Sequence, residues 1–380
     1  VTGGAAAANA LEERGFHWPG LDGLRGIAVV AVMLFHAYSF TPNGYVGVDV
    51  FFGLSGFLIT TLLLREHEST GRIHLPDFYM RRVLRLYPAL VAAVLLVLVA
   101  SLVGQALPET WPGMVAALFY VAHLWIYTGH EAPLLEHTWT LSLEEHFYLV
   151  WPALLGGFLS VRWTRVAAGV SLLALAALLV VPGLLPEGVQ AAYQRATPMV
   201  YGCVASLWWM RSGRLRRAPA WLGAVTTSAL LVLVGLTFWP TPLPAMLMMG
   251  WSSLPGVLSV IVLLGLVAVP VQMSVAQRAL RVTAARWVGK RAYGLYLYHF
   301  PVLSLLVHQV PVGPNWARAT TGLMVTIGLA AVSYRWLETP FLRLKSRFRH
   351  EVEDRRTTGA TRSGGPPDGT RTSENGGLLP

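Results

Sequence analysis

Apolar residues along the chain gather in eleven runs, at about 24–40, 45–64, 86–106, 112–128, 141–161, 166–185, 197–210, 220–239, 251–273, 292–310 and 316–337. Runs of this length with few charges read as membrane-spanning helices. The pattern predicts an all-α, polytopic membrane protein. The first two runs form a hairpin across the turn Thr41-Pro42-Asn43-Gly44, and the stretch from Leu21 to Leu64 is the one the rest is organised around.

The polar stretches between the runs decide how many of them cross. Basic residues cluster at Arg65 to Arg85, at Arg162 and Arg165, at Arg211 to Arg217, at Arg278 to Arg291 and from Arg343 onward. The bias of Lys and Arg toward the cytoplasmic side places all of these inside. Three runs separate the first two clusters, so one of the three does not cross. The run 112–128 is short and contains His123, and is expected to be re-entrant or interfacial. About ten transmembrane helices plus this extra short segment follow, with both termini cytoplasmic and the linker 129–140, which lacks Lys and Arg, outside. Residues 1–20 read as a soluble lead-in without a signal-peptide core, and 345–380 as a disordered cytoplasmic tail. The arginine- and aromatic-rich stretch between Pro76 and Pro88 predicts a separate short interfacial helix with Arg82 and Arg85 on one face.

Composition excludes whole classes. With 54% hydrophobic and only 13% charged residues and a mean hydropathy of +0.53, the 380-residue chain is no soluble globule. A formal charge of +10 raises nucleic acid as a partner, but the basic residues sit in loops between apolar runs, which topology already explains. The lipid bilayer is the expected partner, and nucleic acid is not. Cys203 is the only cysteine, so no internal disulfide, CxxC pair or cysteine-based metal site is possible, and no metal is expected.

Against this apolar background the ionisable residues stand out. Arg25, His36 and Asp49 lie on the hairpin, where charge is costly and usually functional. Arg25 and His36 are eleven residues apart, close to three turns, which puts them on one face about 16 Å apart along the axis. If the hairpin folds back at Pro42-Asn43, His36 and Asp49 lie at similar depth and the carboxylate orients the imidazole. Taken singly, His36 also reads as a hydrogen-bonded core histidine and Asp49 as an acid favoured by a helix N-terminus. Glu144 and Glu145 open the run 141–161, either as a dipole-favoured cap or as acceptor-fixing or packing groups. His299 reads as a second proton-handling group or as a histidine near a proline kink, and Glu338 as a local ion pair with Arg335.

Six strings carry a resemblance. Leu-Asp-Gly-Leu-Arg-Gly-Ile-Ala (21–28) with the following His36, Gly-Val-Asp-Val-Phe-Phe-Gly-Leu-Ser-Gly-Phe-Leu-Ile (47–59), the Arg-x-x-Arg at 82–85, Thr-Trp-Thr-Leu-Ser-Leu-Glu-Glu-His-Phe-Tyr-Leu (138–149), Tyr-Leu-Tyr-His-Phe-Pro (296–301) and Tyr-Arg-Trp-Leu-Glu-Thr-Pro (334–340) occur in order. From about residue 20 to 344 the chain resembles the acyltransferase-3 family of integral-membrane O-acyltransferases. The resemblance implies a transmembrane acyltransferase domain over 21–344 in the cytoplasmic membrane. It implies transfer of an acyl group, often acetyl from acetyl-CoA, to a hydroxyl of a carbohydrate, a cell-envelope polymer or a secondary metabolite. Arg25, His36, Arg82, Arg85, Glu144 and Glu145 match the family's motifs. Thr140 and His146 depart from them, standing where serine and glutamine are usual. Some relatives carry a further soluble catalytic domain, and a relay to such a domain would need a separate protein here.

The chemistry needed agrees with those matches. A hydroxyl attacks a thioester at neutral pH only if its proton is removed, and His36 is the candidate base, with Asp49, Glu144 and Glu145 as further catalytic candidates. The phosphates of acyl-CoA, a co-substrate and not a bound cofactor, call for guanidinium partners, and Arg25, Arg82 and Arg85 are the candidates. The rival reading is a small-solute transporter, since intramembrane charges also mark solute paths. Neither an inverted repeat nor paired broken helices appear in the sequence to support it.

Overall fold

Backbone contact at glycine sets how the first hairpin closes. In the computed structural model, helix α1 (Pro19–Ala37) starts with proline in its first turn, and α2 (Val46–Thr70) ends at Gly71, whose φ of 75° is the left-handed C-cap glycine tolerates. Gly47 lies directly against the carbonyl of Ala28, and a Cβ there would collide with it. The two helices are therefore in register with Gly47 opposite Ala28. Asp49 then sits near the level of Gly26, about ten residues or ~15 Å along the axis from His36. The expected pairing of His36 with Asp49 at one depth is thus corrected: the loop 41–45 packs back along α1, so distance from the turn does not measure depth.

The structure describes residues 18–38, 41–104, 107–160, 186–211, 219–244, 247, 253–268, 274–309 and 313–344. The lead-in up to residue 17, the run 166–185 with Arg162 and Arg165, the arginines at 214–217 and the tail 345–380 lie outside the described residues. All secondary structure in the described residues is helical. After the hairpin come α3 (Leu75–Val103), α4 (Leu107–Leu118), α5 (Ala122–Tyr127), α6 (Trp139–Ser160), α7 (Glu187–Arg195), α8 (Thr197–Arg211), α9 (Ala220–Thr237), α10 (Leu254–Ala268), α11 (Val275–Leu280), α12 (Thr283–Lys290), α13 (Ala292–Ser304), α14 (Asn315–Ser333) and α15 (Thr339–Leu344). Single π-helical turns at Leu305–Gln309 and Tyr334–Glu338 follow α13 and α14.

Three of the described helices, α1, α2 and α3, are long and apolar enough to cross a membrane. Helix α3 shows why both its faces are apolar. Ala89, Leu90, Ala93, Val94 and Val97 are buried against the bundle, while Val91, Leu95 and Val99, four residues apart, are exposed on the other side. Water would not tolerate that stripe, but lipid does. The separate helix expected between Pro76 and Pro88 is instead the first three turns of α3, which runs unbroken through Pro88. Tyr293 Oη donates to the Leu86 carbonyl at 2.9 Å and braces the chain just before the proline. The run 112–128 breaks into α4 and α5 around Tyr120, at φ 54°. At ~1.5 Å per residue neither piece reaches across a ~30 Å core.

Helix α8 packs on α2 by the same close approach as the hairpin. Gly56 lies against the Met199 carbonyl and Gly202 against the Gly53 carbonyl. Small residues replace the hydrophobic driving force that lipid cannot supply between helices. Gly56→Val should prevent this approach, and the loss of monodisperse protein in detergent, with Gly157→Val unaffected because nothing lies within 4 Å of that position, checks it.

Candidate active site

A cavity of about 850 Å³ opens between α1, α2, α3, α6 and the start of α13, and Arg25, Arg82, Arg85, Glu144 and Glu145 all line it. These five predicted residues, from three helices, are brought together. Each arginine is held differently. Arg25 is 3.6 Å from Asp22, one turn earlier on α1. The Arg82 guanidinium lies over the Tyr148 ring at 3.7 Å, a cation–π contact. Arg81, the neighbour on another face, is paired with Glu66 at 3.1 Å. Among the described residues, neither Arg82 nor Arg85 has a carboxylate within ion-pair distance.

The acidic side of the cavity is largely occupied. Glu144 accepts hydrogen bonds from the Ser55 and Tyr148 hydroxyls, so its carboxylate is tied to the wall. Glu338 also lines the cavity and accepts from Ser333 Oγ at 3.3 Å. Its expected ion pair with Arg335 is not formed: the π-turn rotates the two apart, and Arg335 lies against the Trp336 ring at 5.5 Å. Thr140 and Tyr296 both line the cavity, and this pair, termed its floor, shares a hydrogen bond between the two hydroxyls at 2.6 Å, while Tyr296 Oη also donates to the His137 carbonyl at 3.1 Å. The departure from serine at position 140 therefore keeps a hydroxyl where one is used.

His36 does not line this cavity. It stands beyond the floor in a cluster with His299, His137 and Phe300, and Tyr296 belongs to both places. Its Nδ1 is 3.0 Å from the Val32 carbonyl and 3.2 Å from His299 Nε2. His299 Nδ1 is 2.5 Å from the Tyr296 carbonyl. His299, fully buried, is thus part of the His36 environment and not an isolated kink residue.

Asp49 belongs to a third group. It is fully buried and pairs with Arg195 at 3.3 Å, and Arg195 lies over the Tyr45 ring at 4.9 Å. On the same short helix Tyr193 Oη is 3.3 Å from His123 Nε2 and 3.5 Å from His146 Nδ1. Helix α7 and Arg195 were not read from the sequence. The available signal was a lone arginine just ahead of the apolar run 197–210, in a stretch expected outside, where basic residues are scarce. Breaking a buried pair leaves one charge uncompensated, which costs about 3–5 kcal/mol. Arg195→Met should therefore destabilise the protein by about that much, and Asp49→Leu on top of it should restore most of the loss in thermal unfolding, because the stranded carboxylate is gone.

Comparison with known proteins decides the family. A family model described as an acyltransferase domain matches residues 18–335. The chain belongs to the acyltransferase-3 family. It is 31% identical over 350 residues to the peptidoglycan O-acetyltransferase OatA of Listeria monocytogenes, covering 85% of this chain and 55% of that protein. It is 32% identical over 372 residues to the putative peptidoglycan O-acetyltransferase YrhL of Bacillus subtilis, covering 90% and 58%. A putative O-acetyltransferase of Staphylococcus aureus is 28% identical over 354 residues, covering 86% and 57%. The chain spans a little over half the length of these relatives. No solved structure is significantly similar to it. Membership of the acyltransferase-3 family and the three long apolar helices together identify a membrane protein.

Proposed function

We propose that this acyltransferase-3 family chain is an O-acyltransferase that moves an acyl group, acetyl in the first instance, from acyl-CoA to a hydroxyl of a cell-envelope polymer. The observation that carries the donor side is the pair Arg82 and Arg85, two guanidiniums without carboxylate partners among the described residues, in a large cavity with Arg25 close by. Such groups call for an anion of several charges with oxygen acceptors, and the phosphates of CoA fit. The names of the relatives from Listeria and Bacillus make peptidoglycan the first acceptor to test.

The reaction follows from the layout. The phosphates rest on Arg25, Arg82 and Arg85 while the pantetheine arm carries the thioester toward the Thr140–Tyr296 floor. Arg25 and His36 are ~16 Å apart along α1, so one helix spans the distance from phosphate grip to base. His36 Nε2 takes the proton of the acceptor hydroxyl as its oxygen bonds the acyl carbon. The C–S bond then breaks, and the same proton passes to the CoA sulfur. Tyr296 lines the cavity and its ring lies 5.3 Å from that of His299, the neighbour of His36, so it links the two places. Asp49 takes no part in orienting His36, because it sits elsewhere and is held by Arg195.

Binding provides the first test. CoA at about a hundredfold excess over its Kd should stabilise the purified chain by about 2.7 kcal/mol, read as a raised unfolding temperature in detergent. Absence of any shift at millimolar CoA would overturn the donor assignment. The proposed topology of about ten crossings of the cytoplasmic membrane, with the segment 112–128 not crossing and both termini on the cytoplasmic side, has its own test. Reporters after Leu344 and within 66–75 should be cytoplasmic and one within 129–137 external. A cytoplasmic signal at 129–137 would mean that 112–128 crosses.

A further inference from the structure

The hydrogen bonds around His36 leave only one arrangement of protons. A backbone carbonyl can only accept, so the 2.5 Å contact of His299 Nδ1 with the Tyr296 carbonyl puts the proton of neutral His299 on Nδ1 and leaves Nε2 as a lone pair. His36 Nδ1 lies 3.0 Å from the Val32 carbonyl and so also carries a proton. That same N–H faces the His299 Nε2 lone pair at 3.2 Å, and is shared between the two acceptors. The proton of neutral His36 is therefore on Nδ1, and Nε2 is the free base. Among the described residues, no hydrogen bond engages His36 Nε2.

The geometry points to His299 as the positioning residue of the His36 base: it accepts from Nδ1–H, holds the tautomer with Nε2 unprotonated, and stabilises the imidazolium that forms when Nε2 takes the acceptor proton. The orienting role expected of Asp49 is filled by a second imidazole, tied by its other nitrogen to the backbone of α13. A neutral acceptor suits this depth, because it gives the imidazolium a partner without burying a carboxylate. The Val32 carbonyl also favours this tautomer, but it lies on the same helix as His36 and fixes the ring only against its own turn. His137 is the other imidazole in contact, with its ring 5.3 Å from that of His299, but its nitrogens bond neither His299 nor His36, and its plane lies on Phe300 at 5.1 Å. His299 is thus the residue that connects the base to a rigid second helix.

This inference rests on His36 being the base, and the test separates the two. The readout is CoA thiol release from acetyl-CoA by the full chain in proteoliposomes, with peptidoglycan fragments as acceptor and each variant matched for folded yield. His299→Leu fills the space without an acceptor and should lower kcat by on the order of 10²-fold with the KM for acetyl-CoA unchanged. His299→Gln can bring its Oε1 near the place of Nε2 and should recover to within about tenfold of the parent. In a His36→Ala background, His299→Leu should cost nothing further, since the two act as one unit. An inactive His36→Ala beside a His299→Leu of near-parent kcat overturns the role of His299 alone. A fully active His36→Ala overturns the base, and the positioning role with it. Equal losses for His299→Leu and His299→Gln, additive with His36→Ala, mean a packing role only and also overturn the proposal.

Discussion

His36→Ala is expected to fold, reach the membrane and bind CoA with parental affinity, while turnover falls by roughly 10²–10⁴-fold. The reason is separation. The arginines proposed to hold the donor line a cavity that His36 does not line, so removing the imidazole should leave the proposed phosphate grip intact. Asp49→Asn should behave differently. It leaves every hydrogen bond of His36 in place and instead weakens the contact with Arg195, so the loss should appear in thermal stability more than in kcat. Measuring kcat, donor affinity and unfolding temperature on the two variants distinguishes them. A His36→Ala protein that turns over at the parental rate would remove the base from this account.

Replacing Arg82 and Arg85 together by glutamine is expected to raise the Kd for CoA by at least ~10²-fold, with kcat at saturating donor little changed. Hydrogen bonds to charged groups contribute about 1.5–3 kcal/mol each, and two such groups are lost. Glutamine keeps a donor and much of the side-chain length, which limits the effect on packing against Tyr148. The deficit should be larger at low ionic strength, where the two removed charges would be least screened, and should shrink as salt rises, while Arg25 and Lys290 on the cavity wall attract the phosphates in parent and variant alike. Titration of CoA at two salt concentrations checks both parts. Unchanged affinity in the double variant would place the phosphates elsewhere.

The sequence made the class and most of the site legible for identifiable reasons. Apolar runs of spanning length can only be helices in lipid, and the Arg-x-x-Arg spacing puts 82 and 85 on one face whatever surrounds them. Charge in an apolar run marked Arg25, His36, Asp49, Glu144 and Glu145 one by one. What it did not supply was who meets whom. The partner of His36 is 263 residues away on α13, and that of Asp49 is 146 residues away on α7. Counting from the turn gave the wrong depth for Asp49 because the close contact of Gly47 with Ala28, not the loop, sets the register. Prolines misled in a similar way. Pro88 predicts a helix boundary, yet α3 runs straight through it with Ala89, Leu90 and Ala93 packed in the core just beyond. Conversely, α4 and α5 break around Tyr120 without a proline between them, where composition showed only one apolar run.

Acyl transfer from acetyl-CoA, proposed for the site between Arg82–Arg85 and His36, is read by following both products at once. The full chain in proteoliposomes is supplied with acetyl-CoA and peptidoglycan fragments, and CoA thiol and acetyl ester are quantified together. Thiol and ester should appear in equal amounts, both should be lost when the acceptor is withheld, and both should fall by roughly 10²-fold or more in His36→Ala. Movement of solute across the bilayer with no consumption of acetyl-CoA, under conditions where the chain is folded and binds CoA, would mean that the chain is a transporter and not an acyltransferase acting through His36.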